Sequence, residues 1–241
     1  MRTAVIIPSR YSSSRFPGKP LELIKGKPLV QHTVERLKRC KEVDFVAVAT
    51  DDERIHDAVQ KLGFNVFMTP DKCKSGTDRI AFTALRFLKN YDNFINVQGD
   101  EPLIDPKLVD KLAVSLKKTK SLEYITAAFP IKEESVINNP NVVKVVFDKD
   151  GYALYFSRFA IPYNKDNSKI KYYKHMGIYG YKRNFLLEFS KSKMSSLERA
   201  ENLEQLRALE NGKRIKIVVA KHDSIGVDMP SDILKVEKYL W

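Results

Sequence analysis

The sequence is poor in glycine, with 10 residues among 241, and it contains neither a GxG pair nor a GxxxxGK[ST] motif. Dinucleotide-binding loops and Walker-type phosphate loops use such glycines to turn backbone N–H groups toward phosphate oxygens. Both kinds of site are therefore disfavoured. The sequence also lacks any apolar run that approaches the roughly 20 residues of a membrane-spanning helix, so we expect no membrane association.

Cysteine is equally scarce, because Cys40 and Cys73 are the two in the chain. Their spacing does not match the paired motifs of metal or redox sites, so we expect reduced thiols in a cytoplasmic protein. The apolar run at residues 3–8 is too short for the core of a signal peptide and leads into proline and arginine rather than a cleavage site. We interpret it as the first strand.

Acidic residues are outnumbered, which gives a formal net charge of +12 and raises the question of a nucleic-acid partner. Much of the excess is lysine scattered along amphipathic segments such as 111–120, a pattern typical of a solvated face. No helix-turn-helix, zinc-finger or aromatic RNA-binding signature accompanies the charge. We therefore expect no nucleic-acid partner, although a basic nucleic-acid-binding protein is the alternative from a different functional class.

Short apolar runs alternate with helical patterns through the first half of the chain. The runs at 3–8, 44–50 and 93–98 predict buried strands, and the segments between them have the periodicity and end signals of helices. Such alternation forms βαβ units, so it predicts an α/β fold with a parallel sheet covered by helices on both faces, in one domain over 1–241. Ligands bind such sheets beyond the carboxyl ends of the strands. The loops expected to form the site are 8–20, 50–53 and 98–106.

The second half begins with a β-hairpin signal, because two β-rich runs within 142–158 flank the Asp150-Gly151 turn. The patterns that follow predict a strand and a helix over 175–189, one continuous helix over 197–212 ending at Gly212, a strand over 214–220 and a closing helix from near Pro230.

The loop after the first strand is rich in serine and cations. Arg10, Arg15 and Lys19 precede Glu22, the first acidic residue of the chain, so no local carboxylate neutralises them. Serine hydroxyls, turn amides and these cations are able to bind a triphosphate by charge-assisted hydrogen bonds. On its own the segment is equally compatible with a flexible exposed loop.

Two acidic segments predict a metal site. Asp100 and Glu101 follow an apolar strand directly, at the sheet edge where ligands bind, and Asp228 follows a glycine after another strand-rich segment. Carboxylates beside a polyanion need a cation between them, and Mg²⁺ prefers oxygen ligands and bridges carboxylates to phosphates. The alternative for Asp228 is a helix cap.

The segment SGTDR at 75–79 predicts a turn leading into a helix. Its amides, its hydroxyls and Arg79 offer hydrogen bonds that are able to read the edge of a base. Taken alone, the same pattern is also that of an ordinary helix cap.

Taken in order, these segments resemble one family. The stretches that carry the resemblance are IIPSRYSSSRFPGKPL, SGTDR, NVQGDEPLI, YFSRFAIPY, KHMGIYGY, LEQLR and GVDMPSD, which span nearly the whole chain. They match the 3-deoxy-D-manno-octulosonate (Kdo) cytidylyltransferases, also called CMP-Kdo synthetases. The resemblance implies a Rossmann-like fold of the nucleotide-diphospho-sugar transferase type, with a mixed, mainly parallel sheet, helices on both faces and a β-hairpin insertion. It also implies an enzyme that uses Mg²⁺ to transfer CMP from CTP to Kdo, a step of lipopolysaccharide biosynthesis.

The resemblance also implies roles for individual residues. Arg10, Lys19 and Asp100 would be catalytic, and Asp100 and Asp228 would hold Mg²⁺. The nucleotide-binding residues would be Pro8, Arg10, Ser14, Arg15, Lys19, Ser75, Arg79 and Gln98. The sugar-binding residues would be Gln98, Arg158, His175, Tyr181, Glu204 and Gln205, with Arg158 and His175 at the carboxylate and hydroxyls of the sugar. The residues alone favour a structural role for His175, and they are compatible with Glu204 and Gln205 as surface positions of a helix.

The partners implied by the resemblance are CTP, Kdo and a second copy of the chain. We expect a homodimer, with the hairpin-bearing part, approximately 140–182, contributing to sugar binding and dimerisation. The YFSR and LEQLR stretches favour Kdo over sialic acid or a polyol phosphate as the acceptor. An 8-amino Kdo analogue stays an alternative, because one pocket hydrogen bond is enough to decide between them.

Overall fold

The computed structural model describes residues 1–12, 16–166 and 168–240. Ser14 and Arg15, both expected to bind nucleotide, lie outside the described residues.

The strands are β1 (Thr3–Ser9), β2 (Leu23–Ile24), β3 (Lys27–Pro28), β4 (Phe45–Thr50), β5 (Val66–Met68), β6 (Asn93–Asn96), β7 (Tyr124–Ile131), β8 (Lys144–Phe147), β9 (Ala153–Ser157), β10 (Tyr172–Lys182) and β11 (Ile215–Val219). The α-helices are α1 (Leu29–Leu37), α2 (Glu53–Lys61), α3 (Gly76–Arg86), α4 (Pro106–Lys118), α5 (Glu134–Ile137), α6 (Arg183–Phe189), α7 (Ser196–Glu201), α8 (Gln205–Glu210) and α9 (Ile233–Glu237). Among the described residues, no helix is long and apolar enough to cross a membrane.

One sheet carries most of the strands, in the order β11-β7-β10-β6-β1-β4-β5. β1 pairs in parallel with β4 and β6, β4 with β5, and β11 with β7. β10 runs antiparallel between β6 and β7, and the β8–β9 hairpin joins the sheet through β10. The predicted mixed, mainly parallel sheet with a β-hairpin insertion is confirmed.

The central strand shows why its sequence is apolar without a break. In β1, Ala4 and Ile6 face the cluster formed with α3, α6 and α8, whereas Val5 and Ile7 face the cluster formed with α1, α2 and α4. All four side chains are fully buried. Because successive side chains of a strand point to opposite faces, a strand covered by helices on both sides is apolar at consecutive positions along its middle.

The predicted helix starts are confirmed where a side chain caps the first turn. Asp52 accepts a hydrogen bond from the Arg54 backbone amide before α2, and Asp105 accepts one from Lys107 before α4. Ser75 and Asp78 form a reciprocal capping box at the start of α3. These caps fix the loops that precede the helices, at the edge of the sheet where the site was expected.

The prediction of one helix over 197–212 is wrong, because the segment is divided into α7 and α8. Asn202 separates them with φ 52°, a left-handed conformation that asparagine adopts more readily than other non-glycine residues and that ends a helix. The apolar pattern continues through the break because Leu203 and Leu206 are both buried. The break places Glu204 and Gln205 at the start of α8 rather than on the surface of a continuous helix.

Candidate active site

A pocket lies beyond the carboxyl ends of β1 and β6. It is lined by Pro8, Ser9, Arg10, Ser12, Lys19, Pro20, Leu29, Gly76, Gln98, Gly99 and Asp100. The structure thus brings together the opening loop, the start of α3 and the loop after β6, which are far apart along the chain. Five residues predicted to bind nucleotide or metal, namely Pro8, Arg10, Lys19, Gln98 and Asp100, share this one wall.

Two glycines allow the loops of the pocket to approach each other. A Cβ on Gly99 would lie 2.8 Å from the Ser9 hydroxyl oxygen, and one on Gly76 would lie 3.2 Å from Cγ of Pro8. Neither position leaves room for a larger side chain without displacing the end of β1. Glycine is therefore used here for close packing around the pocket.

Lys19 connects the two predicted metal ligands. Its Nζ lies 2.5 Å from Oδ2 of Asp100 and 3.9 Å from Oδ1 of Asp228, and its side chain is largely buried. The two carboxylates therefore converge on one cation, as a shared metal site requires. Both offer the hard oxygen ligands that Mg²⁺ prefers, so the residues present fit that ion. No group of three or more His, Cys, Asp or Glu side chains suited to a metal occurs among the described residues.

The loop that carries Asp228 is fixed to the loop after β6. The backbone amide of Val227 donates to the carbonyl of Asp100 at 2.9 Å, and the Ser224 hydroxyl donates to the carboxyl of Glu101. Burial raises the pKa of Glu101 to about 7. These contacts hold Asp228 near Asp100 even though the two residues are far apart in the sequence.

A third contact fixes the same loop to the sheet, because Lys174 of β10 pairs with Asp223 at 2.6 Å. The loop is therefore attached both to β10 and to the segment after β6. A displacement of either element would move Asp228 relative to Asp100.

Arg79 is placed behind the pocket rather than in its wall. It is fully buried, its Nη2 lies 2.6 Å from Oδ2 of Asp51, and its Nη1 donates to the Thr69 hydroxyl. This ion pair joins α3 to the loop after β4. The guanidinium expected to lie at the base is thus committed to Asp51 in this structure.

Arg10 lines the pocket, and its Nη2 donates to the carbonyl of Cys73 in the loop that precedes α3. The hydroxyl of Ser75 accepts from the Asp78 amide and donates to Glu204 Oε1 at 3.1 Å. Ser75 thus has the structural cap role that the sequence left open, and it also connects the start of α3 to the start of α8.

Glu204 is the centre of that second connection. Besides Ser75, it accepts a 2.6 Å hydrogen bond from the Thr77 hydroxyl and one of 2.7 Å from Nη2 of Arg207. Burial raises the pKa of its carboxyl. Gln205 beside it is 2% exposed, and its Nε2 has no hydrogen-bond partner within the described parts of the chain. An unpaired buried amide is costly, so Gln205 has a donor available for a ligand.

The sheet face next to Gln98 carries the predicted sugar-binding strand, β10. Tyr179 pairs with Asn96, whose side chain accepts from Nε2 of Gln98 at 3.4 Å. His175 lies 5.3 Å from Tyr179 between ring centroids, and burial lowers the pKa of His175 to about 3. Tyr181 is 1% exposed. The structure therefore places Tyr181 in the core, and Tyr179 beside His175.

Arg158 is engaged with backbone carbonyls. Its Nε donates to the carbonyl of Glu201 at 2.7 Å and its Nη1 to that of Pro140 at 3.1 Å. A further support comes from the buried ammonium of Lys144, which donates to the Arg158 carbonyl at 2.5 Å. In the structure Arg158 thus joins the hairpin to the end of α7, and contact with a sugar carboxylate requires a change of partners.

Several residues at the site were not identified from the sequence. Glu101 was noted as an acidic neighbour without a role, and Thr77, Thr126 and Tyr179 were not singled out. A threonine within the apolar run YITAAF is a usable signal, because a polar side chain in a fully buried strand needs a partner. The other contacts depend on tertiary neighbours that no local pattern predicts.

The arrangement is chemically asymmetric. At one end Arg10 and Lys19 face two carboxylates in an open pocket, which suits a nucleoside triphosphate with a divalent cation. Beyond Gln98, His175 and Tyr179 lie side by side on β10, and Gln205 at the start of α8 has a buried amide nitrogen without a partner among the described residues; polar groups of this kind suit a polyhydroxylated molecule. Gln98 lines the pocket, and its Nε2 donates to the carbonyl of Gly177 in β10 at 3.5 Å, so Gln98 lies between the pocket and β10.

Comparison with known proteins identifies the family to which the chain belongs. Residues 4–215 match the family model described as Cytidylyltransferase. The 3-deoxy-manno-octulosonate cytidylyltransferase of Desulfatibacillum aliphaticivorans is 49% identical, over 100% of this chain and 99% of that protein. The 8-amino-3,8-dideoxy-manno-octulosonate cytidylyltransferase of Shewanella amazonensis is 46% identical, over 100% of this chain and 99% of its own.

A solved structure resembles the whole fold. It is described as CMP:2-keto-3-deoxy-manno-octonic acid synthetase complexed with CTP, and it superimposes with a TM-score of 0.94 at 40% identity. The match covers 99% of this chain and 98% of the other.

Proposed function

Since the chain belongs to the 3-deoxy-manno-octulosonate cytidylyltransferase family, we propose that it transfers CMP from CTP to Kdo and releases pyrophosphate. The observation that carries this function is the convergence of Arg10, Lys19, Asp100 and Asp228 at one sheet edge, in a chain that matches such enzymes over its full length. The resemblance seen in the motifs is confirmed at the level of the family.

In this function the opening loop binds the phosphates of CTP. Arg10 and Lys19 donate charge-assisted hydrogen bonds to phosphate oxygens, and Arg15 and Ser14 of the same loop are expected to add to them. Pro8, in the pocket wall, and Ser75, which precedes Gly76 of the same wall, lie near the cytosine. Arg79 supports this region through its buried pair with Asp51.

The acceptor sugar lies beyond Gln98, against β10 and the start of α8. Gln98, His175, Glu204 and Gln205 surround it, with Tyr179 closer to the sugar than Tyr181. Arg158 reaches the sugar carboxylate when it leaves the Pro140 carbonyl. The transfer forms a bond from the anomeric hydroxyl oxygen to the α-phosphorus and breaks the bond from that phosphorus to the pyrophosphate oxygen.

Such transfers depend mainly on positioning and on charge stabilisation, so no covalent intermediate on the protein is needed. Lys19 and Arg10 hold the leaving pyrophosphate, whose charge grows as the bond breaks. Gln98 lies between the two substrates and orients the acceptor. We propose that Asp100 and Asp228 hold Mg²⁺, which when bound polarises the α-phosphate and activates the attacking hydroxyl.

We propose further that the enzyme is a cytoplasmic homodimer that serves lipopolysaccharide biosynthesis. The hairpin and the segment after it expose the apolar side chains of Leu154, Phe159 and Tyr163, the last two by 83% and 87%. Large exposed apolar side chains in this part of the chain support a protein contact there. Sedimentation of the wild type and of Phe159→Ser tests the dimer.

The acceptor is tested by pyrophosphate release with Mg²⁺, in which CTP and UTP are crossed with Kdo, 8-amino Kdo and sialic acid. We expect efficient pyrophosphate release from the combination of CTP and Kdo, and from no other combination. The 8-amino analogue is the second candidate, because the Shewanella amazonensis relative is named for it at 46% identity. Release that is equal with every acceptor, or absent with all of them, would reject the assignment.

A further inference from the structure

Thr126 and His175 form a hydrogen-bonded pair opposite an irregularity in the sheet. β10 has a bulge between Met176 and Tyr179, where its register against β7 shifts. The Thr126 hydroxyl oxygen lies 2.6 Å from the carbonyl oxygen of Ile178, 3.3 Å from that of Met176 and 2.9 Å from Nε2 of His175. One hydroxyl therefore contacts three polar atoms.

The distances decide where the single hydroxyl proton lies. Two oxygens 2.6 Å apart need a hydrogen between them, and a carbonyl oxygen has none to give. Thr126 therefore donates to the Ile178 carbonyl. Nε2 of His175 must then be the donor in its own 2.9 Å contact with the hydroxyl oxygen. The network thus assigns a proton to Nε2 of His175.

The other ring nitrogen, Nδ1, is available. Within the parts of the chain that the structure describes, no group donates to Nδ1, and this atom is not among the buried polar atoms that lack a partner. Nδ1 therefore reaches solvent, although the ring is closely surrounded, with Phe156 edge-on at 5.0 Å. Burial lowers the pKa of His175 to about 3, which keeps the ring neutral at ordinary pH.

Charged groups near the ring are engaged elsewhere. Lys174, the preceding residue, pairs with Asp223 at 2.6 Å, and Glu204 accepts hydrogen bonds from the hydroxyls of Ser75 and Thr77. Burial, and after it the charge of Glu204, raises the pKa of neighbouring Tyr179. None of them is a hydrogen-bond partner of His175 among the described contacts. Thr126 is therefore the group that orients the imidazole.

We infer that Thr126 is a positioning residue, which holds His175 as the neutral Nε2–H tautomer so that Nδ1 accepts a hydrogen bond from a hydroxyl of the acceptor sugar. A neutral ring with an outward lone pair does not attract a carboxylate, so His175 selects hydroxyl groups and the sugar carboxylate needs a different partner. The inference rests on the proposed function for the identity of the ligand, whereas the tautomer is a property of the chain alone.

The tautomer is measured directly by long-range proton–nitrogen correlation spectra of the full chain labelled with nitrogen-15 histidine. The signals of His175 are assigned by their loss in His175→Gln. We expect a protonated Nε2 and an unprotonated Nδ1 that stay unchanged between about pH 6 and pH 9. A protonated Nδ1, or a cationic ring in that range, would overturn the inference whether or not the protein acts on Kdo.

Substitution of the hydroxyl separates a positioning role from a structural one. In Thr126→Val we expect the two nitrogen signals of His175 to move toward tautomer averaging and the KM for Kdo to rise about tenfold, the loss of one hydrogen bond, with the KM for CTP unchanged. Thr126→Ser keeps the hydroxyl and restores both readouts. An unchanged tautomer in Thr126→Val, or an equal rise in both KM values, contradicts the inference.

The matched control is Thr3→Val. Thr3 is a fully buried strand threonine outside the site, and its hydroxyl accepts from Nδ2 of Asn93 at 3.3 Å. The same substitution there should leave the His175 signals and both KM values as in the wild type. If Thr126→Val does not fold, the wild-type spectrum and Thr126→Ser decide the matter. Absence of turnover with Kdo, together with the expected spectrum, rejects the proposed function and leaves the tautomer assignment standing.

Discussion

The free energy of unfolding of the wild type should fall as pH rises, because the buried carboxyl of Glu101 ionises. Replacement of Glu101 by glutamine should abolish this part of the pH dependence. The carboxyl of Glu101 lies under the loop of Asp228, where burial raises its pKa from 4.5 to about 7. A pKa that is higher in the folded state means that this group stabilises the protein fully below about pH 4.5 and that the stabilisation is lost as pH rises through about 7. At 1.36 kcal/mol for each pKa unit, the complete effect is about 3 kcal/mol.

The assay is urea unfolding of the wild type and of Glu101→Gln, without nucleotide, at about pH 5 and pH 8.5. Glutamine is uncharged at both pH values. Between pH 5 and pH 8.5 the free energy of unfolding should therefore fall by about 2 to 3 kcal/mol more in the wild type than in the variant. Glu133→Gln, at an exposed position, is the control and should follow the wild type. Parallel pH dependence of the wild type and Glu101→Gln would show that the carboxyl is not buried as described.

Three further substitutions test packing and charge. Asn202→Val should lower the free energy of unfolding by about 1 to 2 kcal/mol, because a β-branched side chain disfavours φ 52°. Asn202→Gly should lower it by only about a few tenths of a kcal/mol, and chemical denaturation measures both. Lys144→Met should destabilise by about 3 kcal/mol or more in the same assay, since three carbonyls lose a buried donor, and an unchanged midpoint would reject that role. Lys19→Met should lower kcat/KM for CTP about ten- to a hundredfold by pyrophosphate release, whereas an equal effect of Lys118→Met would mean diffuse charge.

Much of the fold is predictable because its signals are local. β1 is apolar from Ala4 to Pro8 since both of its faces are buried, and α2, α3 and α4 begin where a side chain is able to cap them. The hairpin follows from Asp150-Gly151, where Gly151 has φ +74°. Such features depend on neighbours within a few residues, so the sequence contains them.

What the sequence does not contain is the set of contacts between distant segments. Nothing local shows that Asn202 turns left-handed inside an amphipathic pattern, which is what brings Glu204 to Thr77. The antiparallel insertion of β10 between β6 and β7 is also set by tertiary pairing, and with it the burial of Tyr181 and the position of Tyr179 beside His175. Motifs identify the residues at the site, whereas their partners are a result of the fold.

The central claim is that Asp100 and Asp228, held near each other across Lys19, act together on CTP. A double-mutant cycle of Asp100→Asn and Asp228→Asn, measured by pyrophosphate release with Mg²⁺, CTP and Kdo, tests it most directly. We predict that turnover falls by orders of magnitude in each single variant. Turnover of the double variant should be little lower than that of the less active single variant. Near wild-type turnover in either single variant, or fully additive losses, would contradict the claim.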